Sequence, residues 1–104
     1  MSQHQIQVNS PKVGSVLVTI GYDPILGEAF MNYYNDGDSY MSPSGLVVRD
    51  IERLVQEELG VALPQQLIDG VQRDVADLRC GACDVARRLT RYNADGSLAD
   101  FAKW

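Results

Sequence analysis

The chain has 104 residues, of which 45% are hydrophobic and 22% charged. That size and composition bury a core without disulfide or metal staples and lie away from the low-hydropathy, high-charge composition of disordered chains. Fourteen Asp and Glu against nine Lys and Arg give a formal net charge of -5, which disfavours a broad phosphate-binding face and an anionic membrane surface.

The first seven residues, Met1-Ser2-Gln3-His4-Gln5-Ile6-Gln7, lack the basic and apolar regions of a secretory signal. No apolar run approaches the ~18 residues of a membrane span. Two cysteines cannot form a secreted disulfide framework. A single cytoplasmic domain, residues 1–104, without membrane association is therefore expected.

Residues 1–12 are rich in Gln, Ser and Asn, with only Ile6 and Val8 alternating, and read as a loose lead-in or at best an edge strand. Residues 13–42 read as strands. From Val13 to Tyr22, β-branched residues are dense, with Val16, Val18 and Ile20 on one face and Leu17 and Thr19 on the other. Residues 21–27 suit a wide turn. A second strand follows at 28–35, where Ala29, Met31 and Tyr33 alternate with Phe30, Asn32 and Tyr34. The turn at Asn35-Asp36-Gly37-Asp38-Ser39 leads to a short third strand at Tyr40 and Met41. Two consecutive hairpins predict a three-stranded antiparallel meander.

Residues 44–92 read as two helices. Val47, Val48, Ile51, Leu54, Val55 and Leu59 recur at three- and four-residue steps, predicting an amphipathic helix capped near Ser44 and stopped by Gly60. Pro64 suits the start of a second helix. There Ile68, Val71, Val75, Leu78, Ala82, Val85, Leu89 and Tyr92 step by three and four in a heptad-like seam. Unbroken to Tyr92, that helix would be roughly 40 Å long at 1.5 Å per residue, so it either kinks near Gly81 or projects to meet a partner. Asn93-Ala94-Asp95-Gly96 ends it. Leu98, Phe101 and Trp104 then fall at helical spacing, predicting a short C-terminal helical turn over 97–104. The fold class expected is α+β, a three-stranded meander packed against a C-terminal helical hairpin.

No catalytic or cofactor motif is found, and no cofactor is implied. Cys80 and Cys83 have the spacing of half a zinc site or of a redox dithiol. Both point away from the helical seam, and His4 is the single remaining nitrogen or sulfur donor for a metal, so plain thiols are the simpler reading. Arg73, Arg87, Arg88 and Arg91 form a basic cluster able to contact an anion or a partner. Asp69, Asp77 and Asp84 flank it, which makes a salt-bridged surface the simpler reading. The tyrosines Tyr22, Tyr33, Tyr34 and Tyr40 read as cross-strand packing.

These features point to a non-catalytic protein-interaction or regulatory module. Its expected form is a homo-oligomer assembled through Val85, Leu89 and Tyr92 together with Phe101 and Trp104. The alternatives are a thiol- or metal-responsive switch at Cys80 and Cys83, and nucleic-acid binding through the arginine face.

Overall fold

The computed structural model describes residues 2–35, 38–79 and 88–103. They form a mixed α+β structure of six strands and two helices, in the order β1 (Ser2–Ser10), β2 (Gly14–Asp23), β3 (Glu28–Asn35), β4 (Asp38–Met41), α1 (Val48–Leu59), α2 (Gln65–Arg79), β5 (Arg88–Tyr92) and β6 (Leu98–Lys103). The strands make one sheet ordered β4-β3-β2-β1-β5-β6. All neighbours are antiparallel except β1 and β5.

The expected meander is present as β2-β3-β4, but it is half of the sheet. Residues 1–12, expected to be a lead-in, instead supply β1, which is hydrogen-bonded along both edges. Gln3, Gln5, Gln7 and Asn9 alternate with buried Ser2, His4, Ile6 and Ser10 and half-buried Val8. Half of the side chains thus face away from the core, and this gives the segment its loop-like composition. Such one-sided polarity is what a sheet with one wet face requires.

The core lies between the sheet and the two helices, which share one of its faces. Ile6, Val16, Val18, Ile20 and Met31 meet Ile51, Val55, Leu59, Leu67 and Val71 there, all essentially fully buried. Each such side chain contributes about 1.5–3 kcal/mol relative to exposure. Tyr33 and Tyr40 stack across β3 and β4 with ring centroids 5.2 Å apart, as cross-strand packing anticipates, while Tyr34 on the opposite face is exposed.

The first helix begins later than expected. Val47 rather than Ser44 is the N-cap, and the Asp50 carboxylate accepts its N–H at 3.0 Å. Gly60 ends the helix in the left-handed conformation, φ 71°, as the sequence anticipates. Ser10 fixes this end to the sheet. Its hydroxyl donates to the Leu59 carbonyl at 2.5 Å and accepts the Lys12 and Val13 amides at 3.1 and 3.2 Å.

The second helix does not run to Tyr92. It is described to Arg79, and residues 88–92 form β5, so the helical pair is internal to the fold rather than C-terminal. Thr90 points to the core side and Arg91 away, a period of two that the three-residue step from Leu89 to Tyr92 disguises. Instead of the helical turn expected near the C-terminus, residues 98–103 pair with β5 as β6. The register shifts once, so that Tyr92 faces Leu98 while Thr90 faces Phe101. This bulge puts two residues three apart on one face of a strand, which is the spacing that imitates a helix.

Candidate functional site

Pairing β1 in parallel with β5 sets His4 opposite Thr90, with Tyr92 two residues further along β5. The second helix crosses above them and places Asp74 over the same point. His4 is held at both nitrogens: Nε2 lies 2.7 Å from Asp74 Oδ2 and Nδ1 lies 2.8 Å from Tyr92 Oη. His4 is 5% exposed and Asp74 4%.

An imidazole that donates from Nε2 to a carboxylate can accept at Nδ1 from a phenol, or donate there to the phenol oxygen if it carries a second proton. Burial disfavours the Tyr92 phenolate and holds its pKa above the ordinary value. The Asp74 charge acts in the same direction, and Arg73 opposes it.

Gly70 makes this junction possible. A Cβ there would lie 2.6 Å from His4 Cε1 and 2.9 Å from both His4 Nδ1 and Tyr92 Oη. A glycine inside a helix costs about 1 kcal/mol relative to alanine, and here it admits two polar side chains beneath the helix. Gly96 serves the adjoining β5–β6 hairpin. Its φ is 89°, and an added Cβ would lie 2.7 Å from Pro64 Cβ and Gln66 Oε1. The turn is tied by the Asp95 carboxylate, which accepts the Ser97 hydroxyl at 2.6 Å and amide at 2.9 Å. These bonds hold the Asp95 pKa below its usual value.

His4, Asp74 and Tyr92 border a cleft of about 510 Å³ between the second helix and the β5–β6 hairpin. Gln66, Asp69, Gly70 and Arg73 line it from the helix, at the three- and four-residue steps of a single face. Arg88 and Thr90 line it from β5, with Ser97, Leu98 and Phe101 at the far rim. Arg88 lies 3.8 Å from Asp77, an ion pair between strand and helix. Asp69 accepts the Gln65 side-chain amide at 3.0 Å.

The residues singled out by sequence are thus redistributed. Arg73 and Arg88 share the cleft with Tyr92 and Phe101, whereas Arg91 lies on the opposite face of the sheet, paired with Asp100 at 3.1 Å. The arginines therefore do not form one helical face. Leu89 pairs with Gln3 on β1 rather than extending a helical seam. Cys80, Cys83, Val85, Arg87 and Trp104 lie outside the described residues.

No cluster of three or more metal-ligating side chains occurs among the described residues. No helix among them is long and apolar enough to cross a membrane. His4 and Asp74 escape sequence reading because their partners are 88 and 70 positions away. Two local signs point to them: His4 continues the Ile6–Val8 alternation, and Gly70 interrupts an otherwise regular helix.

No family model matches the chain, and no curated protein or solved structure matches it either.

Proposed function

We propose that the protein is a small non-catalytic regulatory module that binds an oxyanion-bearing molecule in the cleft between the second helix and the β5–β6 hairpin. The observation that carries this reading is the buried Asp74–His4–Tyr92 chain bordering that cleft, beside Arg73 and Arg88. A buried cluster of hydrogen-bonded polar side chains is rarely the most stable filling for its volume, and apolar residues of similar size often serve stability better. Tyr92, whose pKa is held above its ordinary value, borders this cleft, and a perturbed titratable group so placed is a candidate for function.

The donor balance favours an anion. Asp74 is already engaged by His4, and Asp69 by Gln65. The guanidinium of Arg73 forms no ion pair among the described residues, and Gln66 and Thr90 add neutral donors. Arginine guanidinium groups match carboxylate, sulfate and phosphate geometry through paired N–H donors.

A melting series with sulfate or acetate tests the reading. A ligand that binds only the folded chain raises the melting temperature as its concentration passes the dissociation constant. Arg73→Gln, a change at an exposed helix position, should abolish that rise without lowering the ligand-free melting temperature. A rise unchanged in Arg73→Gln, or none in the native chain, would contradict it.

Self-association is a second reading, now favoured by the edge strand rather than by a long helix. On β6, Leu98 is 64% exposed and Phe101 49%, and an unpaired strand edge is a template for a further strand. Sedimentation across a hundredfold range of concentration should reveal assembly that Phe101→Glu removes. A monomer throughout that range would rule it out.

A further inference from the structure

We infer that an oxyanion enters this cleft together with a proton, which is taken up by His4 and reverses the hydrogen bond between His4 and Tyr92. The inference rests on the binding reading above and specifies how the site would be regulated.

With His4 neutral, the geometry fixes the direction of both bonds. Nε2–H donates to Asp74, and Nδ1, lacking a proton, accepts the Tyr92 hydroxyl hydrogen at 2.8 Å. The phenol then has no hydrogen to offer the cleft. When Nδ1 gains a proton from solvent, the imidazolium donates to both neighbours: to Asp74 through Nε2 and to Tyr92 Oη through Nδ1. The phenol oxygen becomes an acceptor, so its own O–H turns outward and can donate to an oxyanion. No covalent bond other than N–H forms. The Asp74–His4 pair goes from one negative charge to none.

Electrostatics couples the two events. Asp74 and Tyr92 contact His4, and the other polar groups lining its cleft are Gln66, Asp69 and Arg73 on the second helix, Arg88 and Thr90 on β5, and Ser97 on the hairpin. Ile20, its cross-strand neighbour on β2, is apolar. Asp74 favours the imidazolium, whereas Arg73 opposes it while the cleft is empty; the charge of Arg88 is already met by Asp77 at 3.8 Å. An anion at Arg73 neutralises that opposition, so each event promotes the other.

Sulfate is the suitable probe because its charge is constant between pH 5.5 and 7.5. Calorimetric titration of the full chain with sulfate, in two buffers of different ionisation enthalpy, reports affinity and protons taken up together. The expected result is affinity that falls as pH rises from 5.5 to 7.5, by up to about tenfold per pH unit where uptake is complete, with close to one proton absorbed per sulfate. Tyr92→Phe keeps the ring and both arginines but removes the hydroxyl. It should bind sulfate more weakly, and its affinity at pH 5.5 should move toward that of the native chain at pH 7.5. Binding with pH-independent affinity and no proton uptake would overturn the coupling while leaving the anion site standing. Absence of sulfate binding at every pH would overturn both.

Discussion

Replacing Gly70 by alanine should destabilise the native chain yet stabilise a chain that lacks His4. Two opposed effects set the sign. Alanine is favoured over glycine in a helix interior by about 1 kcal/mol. Against this, its methyl group would stand 2.6 Å from His4 Cε1 and 2.9 Å from Nδ1 and from Tyr92 Oη. His4 cannot turn aside without loosening the bonds to Asp74 and Tyr92 that hold it at 2.7 and 2.8 Å. Overpacking a buried site costs about 1–3 kcal/mol, and a buried polar group left unpaired costs a further 1–3 kcal/mol or so. The net expectation for Gly70→Ala is a loss of about 1–5 kcal/mol. In His4→Ala the two nearest atoms are gone and Tyr92 has lost its anchor, so the helix-propensity gain of about 0.5–1 kcal/mol should survive. Urea unfolding of all four chains gives both differences, provided the m-values agree. Equal stabilisation by Gly70→Ala in both backgrounds would refute the reasoning, because the close approach beneath the helix would then be absent.

Further consequences follow from named contacts. An unfolded tyrosine loses its proton near pH 10.0, whereas burial and the Asp74 charge keep Tyr92 protonated to higher pH. Its contribution is therefore fully present below pH 10 and is lost as pH rises through the folded value. Urea melts between pH 9 and 11 should show a steeper alkaline loss in the native chain than in Tyr92→Phe, and identical slopes would contradict the burial of that hydroxyl. Ser10→Ala removes the donor to Leu59 and the acceptor of two turn amides. It should cost about 1–3 kcal/mol in thermal or urea unfolding, and a loss below about 0.5 kcal/mol would count against the tie between the first helix and the β1–β2 turn. Arg91→Ala should change stability by less than about 1 kcal/mol, because Arg91 and Asp100 are both more than half exposed. A larger effect would mean that this face is covered.

Where apolar periodicity was complete, the sequence was sufficient. The alternation of Val16, Val18 and Ile20 defines β2, and the steps Ile51, Leu54, Val55 and Leu59 define the first helix with its Gly60 stop. It failed where one face of a strand is polar or where strand geometry copies helical spacing. Gln3, Gln5, Gln7 and Asn9 hide the central strand. The bulge between Leu98 and Phe101 imitates a helical step. Leu89 and Tyr92 extend a heptad of which Ile68 and Val71 are the fully buried members among the described side chains of the second helix. Residue type alone marks Arg73 and Arg88 as candidate anion or partner contacts. Their meeting with His4, Asp74 and Tyr92 was not legible, because parallel pairing of the first strand with the fifth joins residues from opposite ends of the chain, a long-range register that local pattern does not encode.

The most direct measurement is a titration of the isotopically labelled chain with sulfate at pH 5.5, followed through its backbone amide resonances. If the cleft is the binding site, saturable shifts should concentrate at residues 66–74, 88–92 and 96–97, with a common dissociation constant, and they should vanish in Arg73→Gln. Saturable shifts concentrated elsewhere, or no saturable shift at tens of millimolar sulfate, would contradict a cleft organised by Asp74, His4 and Tyr92 for binding an anion.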